Sequence, residues 1–255
     1  MKSVALLLAA AALALAGCGD DGDQATAGEA DKPRLVVSAA ASMTEALEAC
    51  GPEFADATVS LQFAGSDELA AQIRQGVEPD VYAAANTTLP EELHKEGLLS
   101  RPVEFATNEL VLAVPGDSEI NSIDDLTGED VKIALGAEDV PIGSYTRETL
   151  ARLPAGQEQA ILDNVRSNEP DVKGIVGKLA QGAADAGFVY LTDVNSTGGV
   201  LEAIELPAEL RPTVTYGAGV VDGAEQPEQA QRFVVGLVEG PCADALEEAG
   251  FGPAP

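Results

Sequence analysis

From residue 34 onward, short β-rich runs alternate with helical runs, and this alternation constrains the fold more than any other feature of the chain. Strands are expected at 34–38 (RLVVS), 59–64 (VSLQFA), 81–85, 110–114 (LVLAV), 131–135, 186–190 (AGFVY) and 214–221. Helices are expected at 42–50, 67–75, 89–96, 145–152, 173–181, 227–239 and 243–249. Strands that alternate with helices imply parallel sheets covered on both faces. The body is long enough for one large domain or two small ones. It has no internal repeat and no low-complexity stretch. No apolar run in it is long enough to span a bilayer.

Two junctions in this pattern carry chemistry. At 39–45 (AAASMTE) a strand runs into small residues, then Ser42, then a helix. Ser42 with Glu45 has the spacing of a capping box, and taken alone it reads as a helix cap. At 63–69 (FAGSDEL) the same order recurs around Ser66, with Gly65 allowing a close backbone approach. In parallel units both serines would sit at the carboxyl ends of strands, where open α/β sheets bind ligands. A helix N-terminus there offers N–H donors and a positive dipole end, and the hydroxyl adds a donor. The result is an anion site that needs no Lys or Arg.

The N-terminal segment belongs to export rather than to the fold. Met1 and Lys2 precede an apolar run at 4–15, too short for a comfortable membrane span and suited to a signal peptide. It ends in Leu15-Ala16-Gly17-Cys18, which resembles the lipobox of bacterial lipoproteins. On that reading 1–17 is a signal peptide and the Cys18 thiol carries the lipid; the alternative is an ordinary signal peptide cut near the same small residues. Residues 18–32 then form a lipidated flexible tether, rich in acids and free of large apolar side chains. The expected location is the outer face of the cell membrane.

Fourteen Lys and Arg stand against 43 Asp and Glu, a formal charge of -29. Nucleic acid is excluded as a partner, because phosphate backbones require basic patches. An anion site in such a chain depends on local hydrogen-bond donors, not on the long-range field. With Cys18 assigned to lipid, Cys50 and Cys242 remain as a pair in an oxidising compartment, where an even count favours a disulfide; two buried free thiols are the alternative. They lack CxxC spacing, so a zinc or thioredoxin-type role is not indicated. His94 is the sole histidine and falls on a polar, exposed helix. Neither serine has a plausible His base, so hydrolase chemistry and enzymatic function in general are not expected.

The two serine segments, followed by 80–85 (DVYAAA), 140–145 (VPIGSY), 171–173 (DVK) and 187–190 (GFVY), resemble the periplasmic molybdate-binding proteins of ABC importers. The likeness runs in order from Leu35 to Phe251. It implies a type II periplasmic-binding-protein fold: two α/β lobes joined by two hinge strands, with 33–110 and 217–255 forming lobe one and 111–216 lobe two. It implies molybdate or tungstate as ligand, no cofactor, a metal present only within the oxyanion, an ABC-transporter permease as partner, and a monomer. Carried over by motif, Ser42 and Ser66 give hydroxyl and backbone N–H, Ile142 and Val172 give backbone N–H, and Tyr190 gives its phenol. The family layout also puts Cys50 and Cys242 in one lobe. The chain departs from the family pattern at Ile142, bulkier than usual after that proline, at Pro170, which has no N–H, and at Asn86, where Asp is frequent. The rival readings are another oxyanion such as sulfate or phosphate on the same fold, or a cell-surface lipoprotein with no small ligand.

Overall fold

The computed structural model describes residues 32–255. The expectations for the signal peptide, for Cys18 and for nearly all of the tether lie outside the described residues.

Two sheets organise the chain. The first is built from β1 (Arg34–Ala40), β2 (Thr58–Ala64), β3 (Val81–Ala84), β4 (Val103–Asn108), a late strand spanning Val214–Val220 and a terminal pair at Gly252–Pro253. The second is built from β5 (Leu110–Pro115), β6 (Ile133–Gly136), β7 (Val165–Glu169), β8 (Ala186–Tyr190) and β9 (Leu201–Glu205). The Val214–Val220 strand is then β10 and Gly252–Pro253 is β11. The spatial orders are β11-β4-β10-β3-β1-β2 and β7-β6-β8-β5-β9. Between them run α1 (Thr44–Cys50), α2 (Ser66–Arg74), α3 (Thr88–Lys95), α4 (Pro141–Leu150), α5 (Gln157–Leu162), α6 (Val172–Ala180), α7 (Leu191–Asn195), α8 (Pro227–Gly236) and α9 (Pro241–Ala249).

The sheets are mixed, which corrects the expectation of parallel sheets. β2, β1 and β3 pair in parallel, as do β7, β6 and β8. β10 runs antiparallel to β3 and β4, and β5 runs antiparallel to β8 and β9. The cause is the crossing. β4 and β5 are separated only by Glu109 yet belong to different sheets, and β9 returns to β10 across a short helical turn at Ala208–Leu210. A strand that enters a sheet directly from the other sheet, with no crossover helix to reverse it, is free to pair antiparallel. The change of sheet at Glu109 and again before Val214 puts the expected lobe borders, 110/111 and 216/217, inside β5 and β10.

β3 and β8 are buried on both faces, as a helix-covered sheet requires. In β3, Val81 and Ala83 join the main core, while Tyr82 and Ala84 face a second cluster with Leu69, Ile73 and Leu93 of α2 and α3. This alternation is the two-residue period of a strand. β8 (AGFVY) is buried along its whole length. α2 ends where Gly76 takes φ 91°, a left-handed conformation that costs glycine little. α8 and α9 return to the first sheet, α8 against β10 and α9 against α1. A disulfide between Cys50 of α1 and Cys242 of α9, with Cα atoms 5.0 Å apart, ties that return in place.

Candidate functional site

Five strand ends meet at one small cavity between the two sheets. Ser42 lies in the turn after β1, and Ser66 opens α2 after β2. Ile142 is the second residue of α4, behind Pro141 at the first helical position, where proline is well suited. Val172 opens α6 after β7, and Tyr190 ends β8. All five line the cavity, and none is more than 4 % exposed. Ala40, Ala41, Gly65 and Ala85 complete its wall on the first sheet, and Val140, Pro141 and Asp171 on the second. The volume open to the centre of a water molecule is ≈ 20 Å³. A sphere of that volume plus a water radius describes a guest of roughly 3 Å radius. One compact ion fits; a sugar or a peptide does not.

The donors follow from position. The first amides of a helix have no acceptor within it, so α2, α4 and α6 each turn N–H groups and a positive dipole end toward the cavity. At α6 the Asp171 carboxylate accepts from Gly174 N–H at 2.9 Å, which occupies the third amide and leaves those of Val172 and Lys173. Ser66 Oγ accepts from Ala85 N–H at 3.1 Å, and Tyr82 donates to the Ser66 carbonyl at 2.7 Å. The Tyr190 hydroxyl is buried with no hydrogen-bond partner among the described residues. Burial, and after it the neighbouring Tyr216, raises its pKa well above the ordinary phenol value, so it is a proton donor at neutral pH. Among the described residues, no Lys or Arg lines the cavity.

Ser42 does not act as a helix cap. The capping box with Glu45 does not form, because α1 begins at Thr44 and a short 3-10 turn precedes it. The Ser42 hydroxyl instead lies 2.9 Å from the Tyr216 hydroxyl. Glu45 points across to the other lobe, where both its oxygens accept from Lys173 Nζ at 2.8 Å. Lys173 Nζ also lies 3.2 Å from Asp193 Oδ1, a charge contact outside hydrogen-bond geometry. Burial pushes the Asp193 carboxyl up to about 7 against the pull of Lys173. Two interlobe contacts flank the cavity: this ion pair, and the approach of Gly65 to the Pro170 carbonyl.

Sequence reasoning missed Tyr216, Asn108, Asp193 and the Lys173–Glu45 pair. Tyr216 carried a signal, since it is a phenol in a strand otherwise built to be buried; Asn108 ends β4, a strand of mixed exposure, and carried none. The partners in the interlobe pair are 128 residues apart and carry none. Of the departures from the family pattern, Asn86 accepts from Leu89 N–H at 3.1 Å and so serves the start of α3. His94 sits 3.0 Å from the Leu99 carbonyl and lines a separate surface groove. Among the described residues no group of three or more His, Cys, Asp or Glu could hold a bare metal ion.

The description "bacterial extracellular solute-binding protein" belongs to a family whose pattern matches residues 35–252. The molybdate-binding protein ModA of Mycobacterium tuberculosis is 32% identical over 258 residues, 98% of this chain and 97% of that one. A provisionally named ABC transporter substrate-binding lipoprotein of Bacillus subtilis, YvgL, is 30% identical over 264 residues, 98% of each chain. The solved periplasmic molybdate-binding protein of Azotobacter vinelandii superposes with a TM-score of 0.76 over 85% of this chain and 98% of its own. At 20% identity that likeness is one of fold.

Proposed function

This chain belongs to the bacterial extracellular solute-binding proteins, alongside the molybdate-binding proteins it resembles, and we propose that it captures molybdate or tungstate between its lobes for an ABC importer. It is a binding protein, not an enzyme. The observation that carries the reading is the buried hydroxyl of Tyr190, which has no partner among the described residues and belongs to a residue lining a cavity ringed by helix N-termini and serines. A buried hydroxyl is ordinarily satisfied, and a small anion would satisfy this one.

Ser42, Ser66 and Tyr190 supply hydroxyl donors, and the amides at Ser42, Ser66, Ile142 and Val172 supply the rest. The bulk of Ile142 and the missing N–H of Pro170 leave this donor set intact, because the Ile142 contribution is its amide and the α6 donors begin after Pro170. Donors come from both lobes, so all of them engage one ion only when the lobes are together. The bound ion therefore favours the closed arrangement over an open one, and closure is the signal a permease can read. Anchoring through lipid at Cys18 would hold the protein on the outer face of the membrane; the family is extracellular and the Bacillus relative bears the name lipoprotein.

Thermal melting and titration calorimetry with molybdate, tungstate, sulfate and hydrogen phosphate test the proposal. A ligand held only by the native state stabilises it by about 2.7 kcal/mol at a hundredfold excess over Kd. Molybdate and tungstate should raise the melting temperature most. A larger shift with sulfate or hydrogen phosphate, or none with any of the four, would overturn it.

A further inference from the structure

Resting on that reading of the site, we infer that Tyr216, held by Asn108, fixes the direction of the Ser42 hydroxyl and makes Ser42 an obligate donor to the bound anion. Neither residue lines the cavity. Each stands on a strand adjoining a crossing between the lobes, Asn108 at the end of β4 and Tyr216 in β10.

The direction follows from which groups can accept. Asn108 Oδ1 accepts from Glu109 N–H at 2.9 Å, which sets the amide so that Nδ2 faces inward. Nδ2 donates to Thr192 Oγ1 at 2.9 Å and to Tyr216 Oη at 3.4 Å. An amide nitrogen cannot accept, so the Tyr216 proton cannot return along that bond. The phenol is fully buried, and its ring packs edge-on against Phe105, Tyr190 and Phe251. The other partner of its hydroxyl is Ser42 Oγ at 2.9 Å. A buried O–H donates where an acceptor is in reach, so Tyr216 donates to Ser42. Ser42 Oγ thereby accepts through one of its two lone pairs, and its own proton, which cannot point back at Tyr216, turns to the cavity. The register of β10 on β4 shifts at this point, Tyr216 facing Ala106 and Gly217 facing Glu104, so Phe105 of β4 is the extra residue beside the phenol.

Ser66 reaches the same state by other means. Its oxygen accepts from a backbone amide, Ala85 N–H, which no side-chain substitution removes. Ser42 depends on two side chains, so its polarity can be changed by mutation. Freed from Tyr216, the Ser42 hydroxyl can turn its proton away from the cavity toward the phenol position and present a lone pair instead, which pairs with the P–OH of hydrogen phosphate.

The experiment is titration calorimetry on the full chain and on Tyr216→Phe, Ser42→Ala and the double variant, with molybdate and with hydrogen phosphate. Tyr216→Phe should bind molybdate roughly tenfold more weakly. The double variant should bind within about twofold of Ser42→Ala alone, because Tyr216 acts through Ser42. The preference for molybdate over hydrogen phosphate should narrow in Tyr216→Phe, an effect that loss of packing alone would not produce. Asn108→Ala, which leaves the phenol in place, should narrow it in the same direction and gives the test a second route if Tyr216→Phe folds poorly. Wild-type affinity in Tyr216→Phe, losses that multiply in the double variant, or an unchanged preference would each overturn the relay while leaving the functional reading intact. A wild type that binds neither anion overturns both.

Discussion

A buried hydroxyl without a partner destabilises a fold by about 1–3 kcal/mol, and Tyr190 carries one. The same hydroxyl, donating to an anion, contributes about 1.5–3 kcal/mol to binding. Tyr190→Phe should therefore act with opposite signs: melting of the free protein stays level or rises, while molybdate affinity falls roughly tenfold or more. Paired melting and titration curves check both halves. A variant that melts lower and binds normally would make Tyr190 a structural phenol. At this scale much of the site was legible, because helix starts and strand ends announce themselves locally. Ser66, Ile142 and Val172 each follow a strand and open a helix, and the Pro and Gly beside them mark the places. The orientation of Ser42 was not legible. Its neighbour Tyr216 is 174 residues away, and the local pattern with Glu45 pointed to a cap that does not form.

Among the elements, the start of α2 shows how closely the lobes are fitted. Gly65 precedes that helix at φ -59° and ψ 138°, a conformation open to any residue. Glycine is required there by its neighbour: a Cβ would lie 2.5 Å from the Pro170 carbonyl of the other lobe. The other close atom, Asp67 Oδ1 at 2.8 Å, is on a side chain that can turn aside. Gly65→Ala should thus fold with little loss, since its backbone is unstrained, but should hold the lobes apart and weaken molybdate binding by at least tenfold. Equal melting with weaker binding is the expected result. Unchanged affinity would show that the two lobes need not approach this closely. The sequence revealed the apolar elements, such as β5 and β8, and missed β4, β7, β9, β11, α5 and α7. The reason is physical. β7 (VRSNE) and β9 (LEAIE) are edge strands with polar or charged side chains, a composition that protects sheet edges and also hides them from hydrophobic periodicity. α5 and α7 are too short, at six and five residues, to show a helical period.

The whole molecule carries -29 while its proposed cargo is a dianion, and among the described residues no Lys or Arg lines the cavity. The two facts combine into a prediction about salt. A protein that holds an anion with surface cations loses affinity as salt screens the attraction. Here the long-range interaction is repulsive, so screening removes a penalty. The Debye length shrinks from about 30 Å at 0.01 M to about 3 Å at 1 M, and at the upper end the distant carboxylates no longer act on the approaching ion. The contacts that retain the ion are short hydrogen bonds in a buried cavity, which screening reaches least. Association of molybdate should accordingly speed up with added salt, dissociation should change little, and affinity should hold or rise. Stopped-flow binding in a sodium chloride series, from millimolar to molar, measures each rate. Chloride itself is a poor competitor for a cavity whose donors are arranged around several oxygens. A fall in affinity of several orders of magnitude across the series would mean that cations outside the cavity wall hold the anion, and that the donor-only site is wrong.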